Sequence, residues 1–172
     1  MVNKAPLIAQ RVRQFFQALK QGAEKSEEAP AGFLKPKPRA LFQTMAPRDR
    51  RHSVKVLWRL WEWGYRDRDL LEAALLHDIG KAGGRIRLWH RVALVLLQGI
   101  SGHLAERIAL NQPGSWCYPF YLLLAHAERG ARLAREAGCS PETVAFIRAH
   151  HRRGSPQDND EVRALQRADR LS

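Results

Sequence analysis

Cysteine is scarce in this chain. Cys117 and Cys139 stand 22 residues apart, and no CxxC occurs among the 172 residues. That excludes a disulfide framework and a thiolate zinc site, and it suits a reduced intracellular compartment. Long apolar runs are missing as well. The longest, VALVLLQGI (Val92 to Ile100), is well short of the roughly 20 residues that span a bilayer. The opening MVNKAPLIAQRVRQFF lacks the apolar stretch of a secretory signal. No alternating pattern of the strand type competes with helical periodicity, and no internal repeat appears. Acids are outnumbered, 17 Asp plus Glu against 29 Lys plus Arg, for a net charge of +12. Such a field favours anionic partners, whether phosphates, nucleotides, nucleic acid or acidic lipid, without choosing among them. With 45% hydrophobic and 27% charged residues the composition is globular. The expectation is a cytoplasmic, all-α protein with one real core and no membrane span.

Two segments emerge. Residues 1–41 read as an N-terminal helical arm over about 4–22, followed by a linker rich in proline and mixed charge, QGAEKSEEAPAGFLKPKPRA. Residues 42–172 read as the main domain. Helices are expected from about Ala46 or Pro47 to Gly64, and from Asp67 to Ile79 with Gly80 ending it. One or two more span the region with a break at Gly99 to Gly102, and a long one runs from Cys117 to Ala137, closed by Gly138. Ser140 and Pro141 then mark a start, as N-cap and first helical residue. After the loop RRGSPQDND, Glu161 to Leu171 forms the last helix.

Polar residues interrupt the apolar stripes of these helices. Leu70, Ala73, Ala74 and His77 fall at i, i+3, i+4 and i+7, so His77 occupies a core position, with Asp78 beside it. Leu123, His126, Gly130 and Leu133 share a face. Val144, Ile147 and His151 repeat the spacing, with His150 adjacent, and Val162 and Leu165 lead inward to Asp169. Val56, Leu60 and Trp63 make an acceptable face for His52. One inward histidine is ordinarily a hydrogen-bonded core residue, and one inward aspartate can pair with an arginine. Four inward imidazoles and carboxylates on separate helices need a shared partner, and a divalent cation supplies one. His90 and His103 join no such pattern and read as ordinary histidines.

The ordered set His52, His77-Asp78 and Asp169 resembles the signature of the HD-domain superfamily of metal-dependent phosphohydrolases. HDIGK (His77 to Lys81) is the form of the HDIG group, and ADRLS (Ala168 to Ser172) is similar to the family's closing segment. His126, His150 and His151 resemble the extra histidines of two-metal subfamilies. RRGSPQDND follows them where HD-GYP phosphodiesterases carry a Gly-Tyr-Pro segment, so a cyclic dinucleotide is not implied. The resemblance covers about Phe42 to Ser172 and implies an HD-domain helical bundle.

By that resemblance, His52, His77 and Asp169 would hold one cation and His126, His150 and His151 a second, with Asp78 bridging. One or two divalent ions are implied, and the mixed nitrogen and oxygen donors suit iron, manganese or another first-row cation, zinc included. A bridging hydroxide would attack phosphorus in line. Asp78 and Lys81 are the catalytic candidates, although a lysine just past a helix end can equally interact with the dipole alone. The expected partner is a phosphorylated small molecule, a nucleotide or dinucleotide, and the basic surface also suits nucleic acid. The alternative is a non-enzymatic, metal-containing module that binds nucleotide or nucleic acid. A purely structural bundle with incidental histidines is the third reading.

Overall fold

Proline sets where several of the helices begin. Pro36, Pro47 and Pro141 each occupy the first helical position and Pro119 the second, where a missing N–H costs nothing. The computed structural model describes residues 32–84, 86–100, 102–152 and 159–172. The arm helix expected at 4–22 lies outside them, as does Arg153. Eight α-helices and no strand occur among the described residues: α1 Pro36–Gln43, α2 Pro47–Glu62, α3 Arg68–Leu76, α4 Leu88–Ile100, α5 Gly102–Ile108, α6 Tyr118–Glu136, α7 Pro141–Ala149 and α8 Asp160–Leu171. A 3-10 turn, Ile79–Lys81, follows α3.

Helix α3 is the axis of the fold. Every residue from Leu70 to Leu76 is buried, as befits a helix that is apolar nearly all round. It packs against α2 on one side and α7 on another. Helix α8 closes on α2, and α6 lies along both α7 and the 3-10 turn. Val56, Leu57 and Leu60 of α2, Ile147 of α7 and Leu165 of α8 fill the core around α3. Leu94 of α4 and Phe120 of α6 form a smaller, separate cluster. None of the described helices is long and apolar enough to cross a membrane.

Two expectations change here. A helix not expected in the linker, α1, runs across the 41/42 boundary and buries Pro38 and Phe42, with Leu34 just before it. Basic and proline-rich sequence hid a short helix whose apolar contacts are few. Helix α3 stops at Leu76, three residues before the expected end, and the chain tightens into the 3-10 turn.

Candidate metal centre

Helix ends bring most of the polar residues together, joined by two from within helices. His77 is the C-cap of α3, still in helical conformation, and Asp78 leads into the 3-10 turn. His150 is the C-cap of α7. His126 sits on the inner face of α6, His52 on α2 and Asp169 near the end of α8. The turn can lie on α6 because Gly80 has no side chain: a Cβ there would overlap the backbone carbonyl of His126. Gly130 gives the same helix a second close approach. Arg129 clamps the turn by donating from Nη1 to the carbonyls of Gly80 (2.6 Å) and Ala82 (2.9 Å).

Three buried imidazoles are held alike. His77, His126 and His150 each place Nδ1 against the carbonyl three residues earlier, on Ala74 (2.9 Å), Leu123 (2.8 Å) and Ile147 (2.5 Å). A ring nitrogen facing a carbonyl carries the proton, so in the neutral ring each Nε2 keeps its lone pair. These three Nε2 atoms are buried without a hydrogen-bond partner. They converge on Asp78 Oδ1, from which they lie 3.7, 3.7 and 4.0 Å away. The Lys81 ammonium stands 2.6 Å from the same oxygen. Toward the other side, Asp169 Oδ1 lies 2.8 Å from His52 Nε2 and 3.4 Å from His77 Nε2.

Two groups result, with Asp78 between them. In His126, His150 and His151, one ligand atom from each lies within 4.8 Å of the others, and His52, His77 and Asp169 are gathered as closely. Every site residue expected from the sequence is therefore in one place. The pair His150-His151 is reversed in burial, however: His150 is 3% exposed, whereas His151 faces outward. Extrapolating the helical period to residue 151 runs past the end of α7 at Ala149. The His151 ring still reaches the group, with its centroid 4.5 Å from that of His126. His90, read as ordinary, is buried and accepts a hydrogen bond from the Arg87 N–H. His103 is solvent-exposed.

Charge follows this geometry. Burial alone would raise the Asp78 carboxyl, but the His77 ring, Lys81 and His126 hold it well below the usual carboxylate range. Asp169 is likewise held low, by His52 and His77 against its own desolvation. Burial, aided by Lys81, pushes His126 down to about 3. Burial and the neighbouring rings push His150 well below its ordinary value. His151 is lowered too, chiefly by desolvation. His77 alone moves up: desolvation opposes it, but the charges of Asp78 and Asp169 draw a proton to the ring. Two ionised carboxylates facing the neutral rings of His126, His150 and His151, with His77 holding a proton that a cation would displace, form a donor set that fits a divalent cation.

A cleft of about 550 Å³ opens over this cluster, reaching His52, Asp78, Lys81, His151 and Asp169. A second cavity, about 380 Å³, lies by Trp89 and Trp116 and includes none of the cluster. Two positioning residues escaped the sequence. Arg129 and Gln166 look like surface residues of their helices, yet Arg129 clamps the 3-10 turn. Gln166 is buried and donates to the carbonyls of Ala149 and Arg152, on either side of the His150-His151 pair.

No curated protein and no solved structure matches the chain. The HD domain family matches it over residues 50–172, a span that holds all seven clustered ligand candidates and Lys81. The chain belongs to the HD domain family.

Proposed function

We propose that the protein is a divalent-metal-dependent phosphohydrolase that cleaves a phosphoester or phosphoanhydride, with a nucleotide or dinucleotide as substrate. The observation that carries this reading is the convergence of three unpartnered, buried Nε2 atoms on one ionised carboxylate oxygen. His52, His77 and Asp169 would hold one cation, and His126, His150 and His151 a second, with Asp78 placed to serve both. Divalent cations bound there supply Lewis acidity toward phosphoryl oxygens and make water a nucleophile near neutral pH.

The chain's own residues do the rest. The bonds to Ala74, Leu123 and Ile147 orient three rings with Nε2 toward Asp78, and loading a cation would displace the proton drawn to His77. Lys81 is almost wholly buried beside Asp78 and carries a positive charge to the floor of the cleft, where a phosphoryl oxygen gains most from it. Family membership supports hydrolysis in general, and the cationic cleft supports a phosphorylated substrate.

Elemental analysis of the purified protein, paired with a panel of nucleotides, dinucleoside polyphosphates and cyclic dinucleotides under Mn²⁺ or Fe²⁺, tests the proposal. It requires bound first-row metal and hydrolysis of at least one phosphorylated compound. Asp78→Asn should lower both, with turnover falling by about 100-fold or more. Metal-free protein without activity under any cation would overturn the reading.

A further inference from the structure

We propose that the cleft carries a subsite for a chain of condensed phosphates, in which Arg48, Lys55 and Arg170 bind the phosphoryl groups beside the one held at the metal centre. The inference rests on the proposed phosphohydrolase reading and narrows its substrate to compounds with two or more linked phosphates.

Helical geometry puts the cations there. Arg48, His52 and Lys55 fall at i, i+4 and i+7 on α2, so they share a face with His52 between the two charges. Arg170 directly follows Asp169 on α8. All three cations line the cleft together with His52, Asp78 and Asp169. The Cα atoms of Arg48 and Lys55 are about 10 Å apart along the helix axis. A condensed phosphate chain presents charged oxygens over a length of about that order, so it can meet both cations at once.

Charge balance supports the same conclusion. Three acids line the cleft, and each is engaged: Asp49 by Arg91 at 3.2 Å, Asp78 by Lys81, and Asp169 by His52 and His77. None of Arg48, Lys55 and Arg170 pairs with a carboxylate among the described residues. Solvated surface cations are commonplace, but these three line one concave site whose acids are already engaged by other groups. A concave wall with an excess of one sign concentrates an anion and costs self-repulsion when empty. Orthophosphate at the metal centre leaves that excess uncompensated; a polyphosphate chain neutralises it.

Calorimetry with inorganic orthophosphate and inorganic tripolyphosphate tests the subsite, on metal-loaded protein (metal content measured afterwards) and on protein stripped with chelator. The stripped arm removes chelation in solution as a source of heat. Tripolyphosphate should bind at least about tenfold more tightly than orthophosphate in both forms. The ratio of the two affinities should fall about tenfold in the double variant Arg48→Gln/Arg170→Gln and in Lys55→Gln. Arg132→Gln, a cation outside the cleft, should leave the ratio as it is. An unchanged ratio in the cleft variants, an equal fall in Arg132→Gln, or tighter binding of a short oligothymidylate than of tripolyphosphate would each sink the proposal. If a cleft variant loses its thermal unfolding transition, salt titration of the unmodified protein decides. The log-affinity slope must be steeper for tripolyphosphate than for orthophosphate, and equal slopes reject the subsite. A selective ratio without hydrolysis of any compound leaves the subsite standing and removes the enzyme. Hydrolysis with an insensitive ratio does the reverse.

Discussion

At Gly80 the absence of a side chain decides the geometry of the whole centre. The 3-10 turn rests on α6 at the His126 carbonyl, and this contact carries Asp78 to within 3.7 Å of His126 Nε2. Gly80→Ala must push the turn off the helix, because the obstructing atoms are backbone and cannot rotate away. We expect a loss of about 3 kcal/mol or more in urea unfolding, together with loss of bound metal. Gly130→Ala should be milder, since its Cβ would meet Gly80 N and the Ile147 side chain at 3.3 Å. A Gly80→Ala protein with normal stability and full metal content would show that the turn has slack. Local sequence assigns Gly80 the role of helix stop, but α3 ends earlier at Leu76; the glycine's reason, the approach to α6, needs the partner helix in place.

Helix α7 shows at the level of elements what could be read and what could not. Its start was plain: Ser140 accepts from the Thr143 N–H at 3.0 Å, and Pro141 begins the helix. The same hydroxyl lies 2.5 Å from Asp69 Oδ1, which ties the head of α7 to the first turn of α3. Ser140→Ala should cost about 1 kcal/mol of stability. Metal content should be unchanged, because His150 is at the opposite end of the helix; a Tm series read beside elemental analysis checks both. The far end was misjudged. A periodicity argument assumes that the helix continues, and α7 ends at Ala149, so His150 rather than His151 takes the buried place. The overlong reading of α3 has the same origin. Helix α1 was missed because its apolar signal, Leu41 and Phe42, is confined to one end of a segment rich in lysine and proline. Arg129 and Gln166 carry no sign of their roles in local sequence, since a carbonyl acceptor on another element makes them positioning residues.

Over the whole molecule, the cluster ties stability to pH. His126 stays neutral in the folded chain down to about 3, and His150 also titrates well below its ordinary value. In the unfolded chain both rings take up a proton near pH 6.5. The unfolded state therefore binds more protons between pH 6.5 and 3, and acid destabilises the metal-stripped protein across that window, by up to about 1.4 kcal/mol per pH unit for each ring. Asp78 and Asp169, both held low, add to the loss only as pH falls below the ordinary carboxylate range. His77 opposes the trend only above pH 6.5. Its raised value contributes stability below pH 6.5 that is lost as pH rises through its folded pKa. Below pH 6.5 His77 carries its proton in both states and does not offset the loss from His126 and His150, so stability falls across that window, which urea titrations of stripped protein at pH 7, 5.5 and 4 would reveal. A flat profile would mean that the rings titrate as free histidines. The all-α fold was legible throughout, because helical periodicity had no rival in the sequence.

Burial around the centre is lopsided. His77, Asp78, His126 and His150 form a sealed back wall, whereas His52, His151 and Asp169 stand at the mouth. A molecule that reaches Asp78 through this cleft passes these three residues first, so the more exposed ligands are met before the buried ones.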